Sequence, residues 1–208
     1  MEFKLVKGVG KYSEGTACIM SAAVAYKRVL DGVDIGEAID ELDCVCPVIR
    51  AFLIRINDNA IWSDDLHRTN VLLPLIPRIV GTNNPKLLLK RMFFLVNWSV
   101  KIIAPLILRW QNFENRAEIL ESLKDIVDYE SASAAGAAAA AVAYAAANAA
   151  YNVATAANAA SYAAAAIATN ATFYAAAVCS VDDVDDADLK EKIVVEVVKI
   201  LDQLLNIR

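Results

Sequence analysis

The sequence predicts an all-α protein built as a multi-helix bundle. Apolar residues recur at helical spacing along most of the chain, and cap residues and prolines mark several helix starts. A long alanine block adds the residue with the highest helix propensity. The chain has 208 residues, and its hydrophobic fraction of 58% and mean hydropathy of +0.41 are high for a soluble protein. Alanine explains the excess, because 28 of the 38 alanines lie between positions 132 and 177.

The first 43 residues predict one strand and two helical segments. A short strand around residues 3–5 precedes a glycine-rich turn. Thr16 is suited to cap a helix over residues 17–30, which Gly32 ends. A short acidic helical turn is expected over residues 36–43.

Prolines and acidic residues mark the next two helices. Pro47 is suited to the first position of a helix that continues to a polar break at residues 57–59. Ser63, followed by two aspartates, indicates another helix start, because acidic side chains are favourable in a first helical turn. Pro74 and Pro77 are expected to interrupt that helix.

Three further helices are predicted in the rest of the chain. A long apolar helix covers residues 85–110, with a kink near Pro105. A shorter amphipathic helix covers residues 114–127. The last helix, over residues 183–206, has a broad apolar stripe that must be buried: Leu189, Ile193, Val194, Val197, Val198, Leu201, Leu204 and Leu205.

The alanine-rich segment predicts closely packed helices. Residues 131–181 carry no charge, and small side chains allow helix backbones to approach closely. Two or three antiparallel helices are expected, broken near residues 148–152 and 169–172. A polar and aromatic stripe follows one helical face: Tyr144, Asn148, Tyr151, Thr155, Asn158 and Tyr162. We therefore divide the chain into a helical region, 1–130, and an alanine-rich region with the last helix, 131–208, packed as one unit.

Charge is sorted along the chain. Residues 29–49 carry six acidic side chains and no basic one, residues 66–113 carry seven basic side chains and no acidic one, and five aspartates lie within residues 182–188. In one interpretation the basic segment packs beside the acidic ones. In the other it faces outward and binds an anionic partner, such as a nucleotide, a nucleic acid or an acidic protein surface. The candidate anion contacts are Arg68, Arg78, Lys86, Lys90 and Arg91.

The cysteines suggest an alternative, enzymatic function. Cys46 precedes the proline that starts a helix, where the helix dipole favours a thiolate. Cys44 and the single histidine, His67, are its candidate helpers in nucleophilic or redox chemistry. Cys18 or Cys179 could complete a zinc site, but the chain has no Cys-x-x-Cys pair. Buried structural cysteines are the other interpretation.

Composition also indicates where in the cell the protein is located. The N-terminal residues contain no apolar stretch typical of a secretion signal, and four cysteines without such a signal fit a reducing, cytoplasmic compartment. Residues 92–108 and 131–181 are apolar enough to raise membrane association as an alternative. Asparagines in both stretches, with Lys101 and Pro105 in the first, argue against a span.

Two motifs carry a resemblance. Residues 43–52 (DCVCPVIRAF), the pair at 57–58 (ND) and residues 73–82 (LPLIPRIVGT) resemble a group of bacterial and phage proteins that continue into a tail rich in Ala, Tyr and Asn, as residues 131–179 do here. The alanine-rich tail is also similar to immunity proteins of bacterial toxin systems. The resemblance implies a bacterial or phage origin and a shared fold, and it implies no mechanism.

These observations favour a non-enzymatic helical binding protein. The net charge of −5 argues against binding nucleic acid with the whole surface. We expect a protein partner, with an anionic small molecule or a nucleic acid as the alternative, and self-association is possible. A role in defence, counter-defence or immunity fits the resemblance. No cofactor or metal is expected.

Overall fold

The chain is mostly α-helical, as the sequence predicts. The structure is a computed structural model that describes residues 3–37, 39, 42–59, 61–146 and 186–207. The chain forms two compact units, Met1–Leu88 and Leu89–Arg208. The boundary that composition suggests at 130/131 falls inside the second unit.

The first unit begins with a small parallel sheet. Strand β1 (Lys4–Leu5) pairs with strand β2 (Thr16–Ala17), and helix α1 (Ile19–Leu30) follows. Gly10 lies in the connecting turn with a φ of +80°, and a Cβ atom there would lie 2.5 Å from the Cα of Ala17. Only glycine allows the turn to pass this close to β2.

Three helices complete the first unit. Helix α2 is Pro47–Asp58, helix α3 is Asp65–Leu72, and helix α4 is Ile76–Ile79, with a 3₁₀ turn, Leu73–Leu75, between the last two. The predicted starts at Pro47 and after Ser63 are confirmed. The side chain of Asp64 caps α3 by accepting the backbone N–H of His67. Pro74 and Pro77 do interrupt this stretch.

Two predictions for the first unit are wrong. Cys18, not Thr16, caps α1, and its Sγ accepts the backbone N–H of Ser21 at 3.2 Å. Thr16 is occupied by its pairing in β2. No described residue of 36–43 is helical, because the guanidinium of Arg28 binds the carbonyls of Ile35 and Glu37 and holds the chain in an irregular path.

A buried amide connects three parts of the first unit. Asn57 is fully buried near the end of α2. Its Nδ2 donates to the carbonyl of Val6 at 2.8 Å, and its Oδ1 accepts the N–H of Ile19, the first residue of α1, at 3.2 Å. The neighbouring Asp58 accepts the N–H of Gly8 at 2.9 Å. The polar break at 57–59 therefore ties α2 to the turn after β1 and to the start of α1.

The long apolar helix is confirmed in three parts, and all but its first turn lies in the second unit. A 3₁₀ turn, Pro85–Leu87, leads into helix α5 (Leu88–Trp98), a π-helical turn (Ser99–Ile103) and helix α6 (Ala104–Trp110). Pro105 has no N–H to give to the helix, and its ring crowds the carbonyl one turn earlier. The wider π-helical turn directly before α6 accommodates this proline.

By length and composition, one helical stretch in the described part of the chain could cross a membrane. It is Pro85–Trp110, and 72% of its most apolar window is buried inside the protein. The core helix of a soluble protein meets the same criterion.

Three more described helices follow. Helix α7 is Glu114–Glu121, helix α8 is Tyr129–Ala146, and helix α9 is Ala187–Asn206. The extension of α7 to residue 127 is wrong, since the chain leaves the helix after Glu121. The prediction that the whole stripe of α9 is buried is wrong at Val198, which is 42% exposed. The predicted breaks near 148–152 and 169–172 lie outside the described residues.

Helix α8 buries a face of small residues. Ala132, Ala135, Gly136 and Ala139 are buried, at positions i, i+3, i+4 and i+7 of the helix. Helix α7 packs against α8. Side chains of this size allow neighbouring backbones to approach closely.

Replacing the buried amide tests its role in the first unit. We expect Asn57→Ala to lower the free energy of unfolding by about 2–4 kcal/mol, because it leaves a buried N–H and a carbonyl without their partner. The matched control, Asn70→Ala on the exposed face of α3, should change it by less than about 0.5 kcal/mol. Urea unfolding followed by circular dichroism measures both. Equal effects of the two substitutions would contradict the role assigned to Asn57.

Candidate functional site

Arg68 does not reach the surface. It is 7% exposed, and its guanidinium binds the carboxylate of Asp65 and the carbonyl of Leu5. Slight burial alone would raise the pKa of Asp65, but hydrogen bonds and charge from Lys4 and Arg68 outweigh it and lower that pKa. Arg68 therefore ties α3 to β1.

Arg91 is also buried, with 3% of its surface exposed. Its Nη2 donates to the carbonyl of Ile207 at 3.1 Å, just after the end of α9. The other three predicted anion contacts, Arg78, Lys86 and Lys90, are exposed. Arg68 and Arg91 are already bound to groups of the protein, so we build no anion-binding surface on them.

Later members of the basic segment pair with acids that follow it closely in the sequence. Lys101 binds Asp125, with 2.7 Å between Nζ and Oδ1. Arg109 binds Glu114 and forms a bidentate salt bridge with Glu121. The hydrogen bond from Arg109 lowers the pKa of Glu121. The acidic partners of these two cations therefore lie at residues 114–125, and not in the acidic segments at 29–49 and 182–188.

The predicted nucleophile is enclosed. Cys46 is fully buried, and its backbone N–H donates to Oγ1 of Thr82 at 3.1 Å. Asn83 binds the carbonyls of Asp43 and Cys44. The two sequence motifs that carry the resemblance, at 43–52 and 73–82, are therefore in contact, which gives the cysteine motif a structural role.

The predicted partner of that cysteine has other contacts. Nδ1 of His67 lies 3.1 Å from Oγ of Ser63, and its ring packs edge-on against Trp62. Cys18, Cys44 and Cys46 are free thiols. Within the described ranges, no three Cys, His, Asp or Glu side chains gather as metal ligands. Cys179 lies outside those ranges.

The second unit contains an open cavity of about 700 Å³, which we call the α5 groove. This volume lies within the usual range for ligand sites. Aliphatic and aromatic side chains dominate its lining, with three polar residues: Leu89, Lys90, Phe93, Phe94, Asn97, Asp125, Ile126, Val127 and Ile207.

One stripe of α5 forms the floor of the α5 groove. Lys90, Phe93, Phe94 and Asn97 occupy positions i, i+3, i+4 and i+7, so they share one helical face. The stripe is about 10 Å long, at 1.5 Å per residue. Two aromatic rings thus lie between a cation at one end and an amide at the other.

A non-helical segment forms the wall that faces this stripe. It consists of Asp125, Ile126 and Val127, and each of them bonds to a different side chain. Lys101 binds the carboxylate of Asp125. Oδ1 of Asn97 accepts the N–H of Ile126 at 3.1 Å, and Oγ of Ser131 accepts the N–H of Val127 at 3.0 Å. The wall is therefore held in place by contacts within the protein.

The capping of α8 continues this wall. Oδ1 of Asp128 accepts the N–H of Ser131 at 2.8 Å, while Oγ of Ser131 accepts the N–H of Asp128 at 3.1 Å. This reciprocal arrangement satisfies the N–H groups of Asp128 and Ser131 at the start of α8. The contacts with Ser131 lower the pKa of Asp128. The next residue, Tyr129, packs its ring edge-on against Phe93.

The C-terminal end of the chain supplies a further side of the groove. Ile207 lines it, and the hydrogen bond from Arg91 holds the carbonyl of Ile207. Arg91 and Lys90 are neighbours in the sequence with different roles. Arg91 positions a lining residue, whereas Lys90 faces the groove.

The polar groups of the groove leave two donors available. Among the residues that the structure describes, Lys90 has no ion-pair partner and Nδ2 of Asn97 has no acceptor. The carboxylate of Asp125 is already paired with Lys101. Leu89 and Val127 expose apolar surface at the rim, at 44% and 68%. The groove thus offers an apolar surface, one unneutralised cation and one amide donor.

Sequence reasoning identified Lys90 but not its neighbours in the groove. The helical spacing of Phe93 and Phe94 in the sequence is more typical of core residues. A signal was present, because Lys90 shares a helical face with these rings and Asn97, while Arg91 shares a face with the buried Leu95 and Trp98. No pattern in the sequence indicated that residues 125–127 form the wall that faces them.

Comparisons of the chain with protein-family models, curated proteins and solved structures found no match.

Alkylation of the native protein tests the roles of the two motif cysteines. We expect iodoacetamide to modify Cys46 at least about tenfold more slowly than the half-buried Cys44, because a buried thiol reacts only after local opening. In denaturing urea the two rates should converge. Fragment-ion mass spectrometry of the peptide that holds both cysteines measures the rates. Faster modification of Cys46 than of Cys44 in the native protein would contradict the structural role of Cys46 and favour its role as a nucleophile.

Proposed function

We propose that this protein is a non-enzymatic helical binding protein that acts by contact with a protein partner. The α5 groove carries this proposal. Binding sites are usually concave and lined mostly by apolar and aromatic side chains, with a few polar groups. The α5 groove is concave, has two aromatic side chains in its floor, and exposes Leu89 and Val127 at its rim.

Preorganisation supports the proposal. Binding costs less when the contact surface does not need ordering. The backbone N–H groups of Ile126 and Val127 are held by Asn97 and Ser131, although the Val127 side chain is exposed. The ordered backbone of this wall therefore lowers the entropic cost of binding at the groove.

The remaining features of the proposal rest on sequence. We propose a bacterial or phage origin and a role in defence, counter-defence or immunity, supported by the motifs at 43–52 and 73–82. A cytoplasmic location is supported by the use of cysteine. We also propose that the helices pack as a bundle in which the alanine-rich segment allows close approach, supported by the buried small-residue face of α8.

The groove is tested with 8-anilinonaphthalene-1-sulfonate, a dye that combines an apolar body with an anionic group. We expect native protein to enhance its fluorescence with saturable, single-site binding. Phe94→Asp and Val127→Asp should weaken binding about tenfold or more, since each places a carboxylate in the apolar lining.

The control is Ile119→Asp, at an exposed apolar position of α7 that does not line the groove. It should leave dye binding unchanged. Val127→Asp lies on an exposed rim and should preserve the fold, which thermal unfolding verifies. Dye binding that responds equally to Val127→Asp and Ile119→Asp would contradict the assignment of function to the groove.

A further inference from the structure

We infer that the partner of the α5 groove is an amphipathic helix with an acidic residue at one end of its apolar face. This inference rests on the proposed function and specifies the chemistry of the partner. The groove takes the apolar face, and the ammonium group of Lys90 pairs with the carboxylate.

The shape of the groove favours a helix. The floor stripe from Lys90 to Asn97 is about 10 Å long, or about two helical turns. Apolar residues at i, i+3, i+4 and i+7 of a partner helix span the same length, which is the usual pattern of helix-in-groove recognition. Exposed apolar side chains on both rims, Leu89 and Val127, suit a partner that extends beyond the cavity.

The charges select an acidic partner. Lys90 is exposed and has no ion-pair partner among the described residues, and it stands beside apolar surface. The one acidic residue of the lining, Asp125, is neutralised by Lys101. An acidic group therefore gains an ion pair at Lys90, whereas a basic group in the same place meets a like charge.

The two ends of the stripe also suggest a direction. An acidic side chain is most favourable near a helix N-terminus, and the last carbonyls of a helix lack intrahelical partners. Nδ2 of Asn97 has no described acceptor and can donate to such a carbonyl. A partner helix with its acidic N-terminal end at Lys90 and its C-terminal end at Asn97 satisfies both groups, and it runs parallel to α5.

Binding of labelled peptides to the full chain tests the inference. The probe is a capped, fluorescein-labelled helical peptide with leucine at i, i+3, i+4 and i+7 and a glutamate one turn before the first leucine. Matched peptides replace the glutamate with glutamine or lysine, or move it to the C-terminal end. We expect the N-terminal glutamate peptide to bind about threefold or more tightly than each of the others, as measured by fluorescence polarisation.

Charge reversal of the protein completes the test. Lys90→Glu should invert the order, so that the lysine peptide binds more tightly than the glutamate peptide. Lys192→Glu, at an exposed lysine of α9 outside the groove lining, should preserve the original order. An order unchanged by Lys90→Glu, or equal binding of all peptides to the native protein, would overturn the role of Lys90.

The dye experiment separates this inference from the proposed function. If no peptide binds while dye binding still depends on Val127 and Phe94, the helical partner is overturned and the groove remains a binding surface. If laurate, a long-chain carboxylate, displaces the dye and no peptide does, the occupant is a small amphiphile and the helical partner is again overturned. Loss of groove-dependent dye binding overturns both proposals.

Discussion

The hydrogen bond between Asn97 and the backbone N–H of Ile126 holds the wall of the α5 groove, on which the proposed function depends. It joins α5 to the segment after α7, 29 residues later, at 3.1 Å. Residues 122–127 have the apolar spacing to continue α7 as a helix, but the chain leaves the helix after Glu121. The N–H of Ile126 therefore has no helical acceptor, and the side-chain amide of Asn97 supplies one.

A side-chain amide has a comparable role in the first unit. Asn57 binds a carbonyl after β1 and the first N–H of α1, and both contacts span long intervals of sequence. In each unit an asparagine supplies the hydrogen bonds that regular secondary structure cannot, where a chain segment must turn away from a helix. Arg68 and Arg91 act in a similar way through backbone carbonyls, which explains why these two cations are buried.

The sequence predicted the local features of the fold well and the long-range ones poorly. Helix starts at Pro47, at Asp65 and at residues 85–88 follow from proline and cap chemistry that acts within one turn. The predicted end of α7 and the predicted cap of α1 were wrong, and near both positions the chain bonds to distant partners, Asn97 and β1. Helical spacing places Lys90 and Arg91 on different faces of α5. It cannot show that residues 125–127, which come later in the chain, leave the face with Lys90 open as a groove.

We propose that this protein binds through the α5 groove. The most direct test of this proposal is a titration of isotope-labelled protein with the glutamate peptide, followed by backbone amide chemical shifts in ¹H–¹⁵N spectra. We expect the largest shift changes at residues 89–97 and 125–128, with the amide of Ile126 among them. Changes centred on α1–α4, or the absence of changes at 125–128 when the peptide is bound, would contradict the proposal.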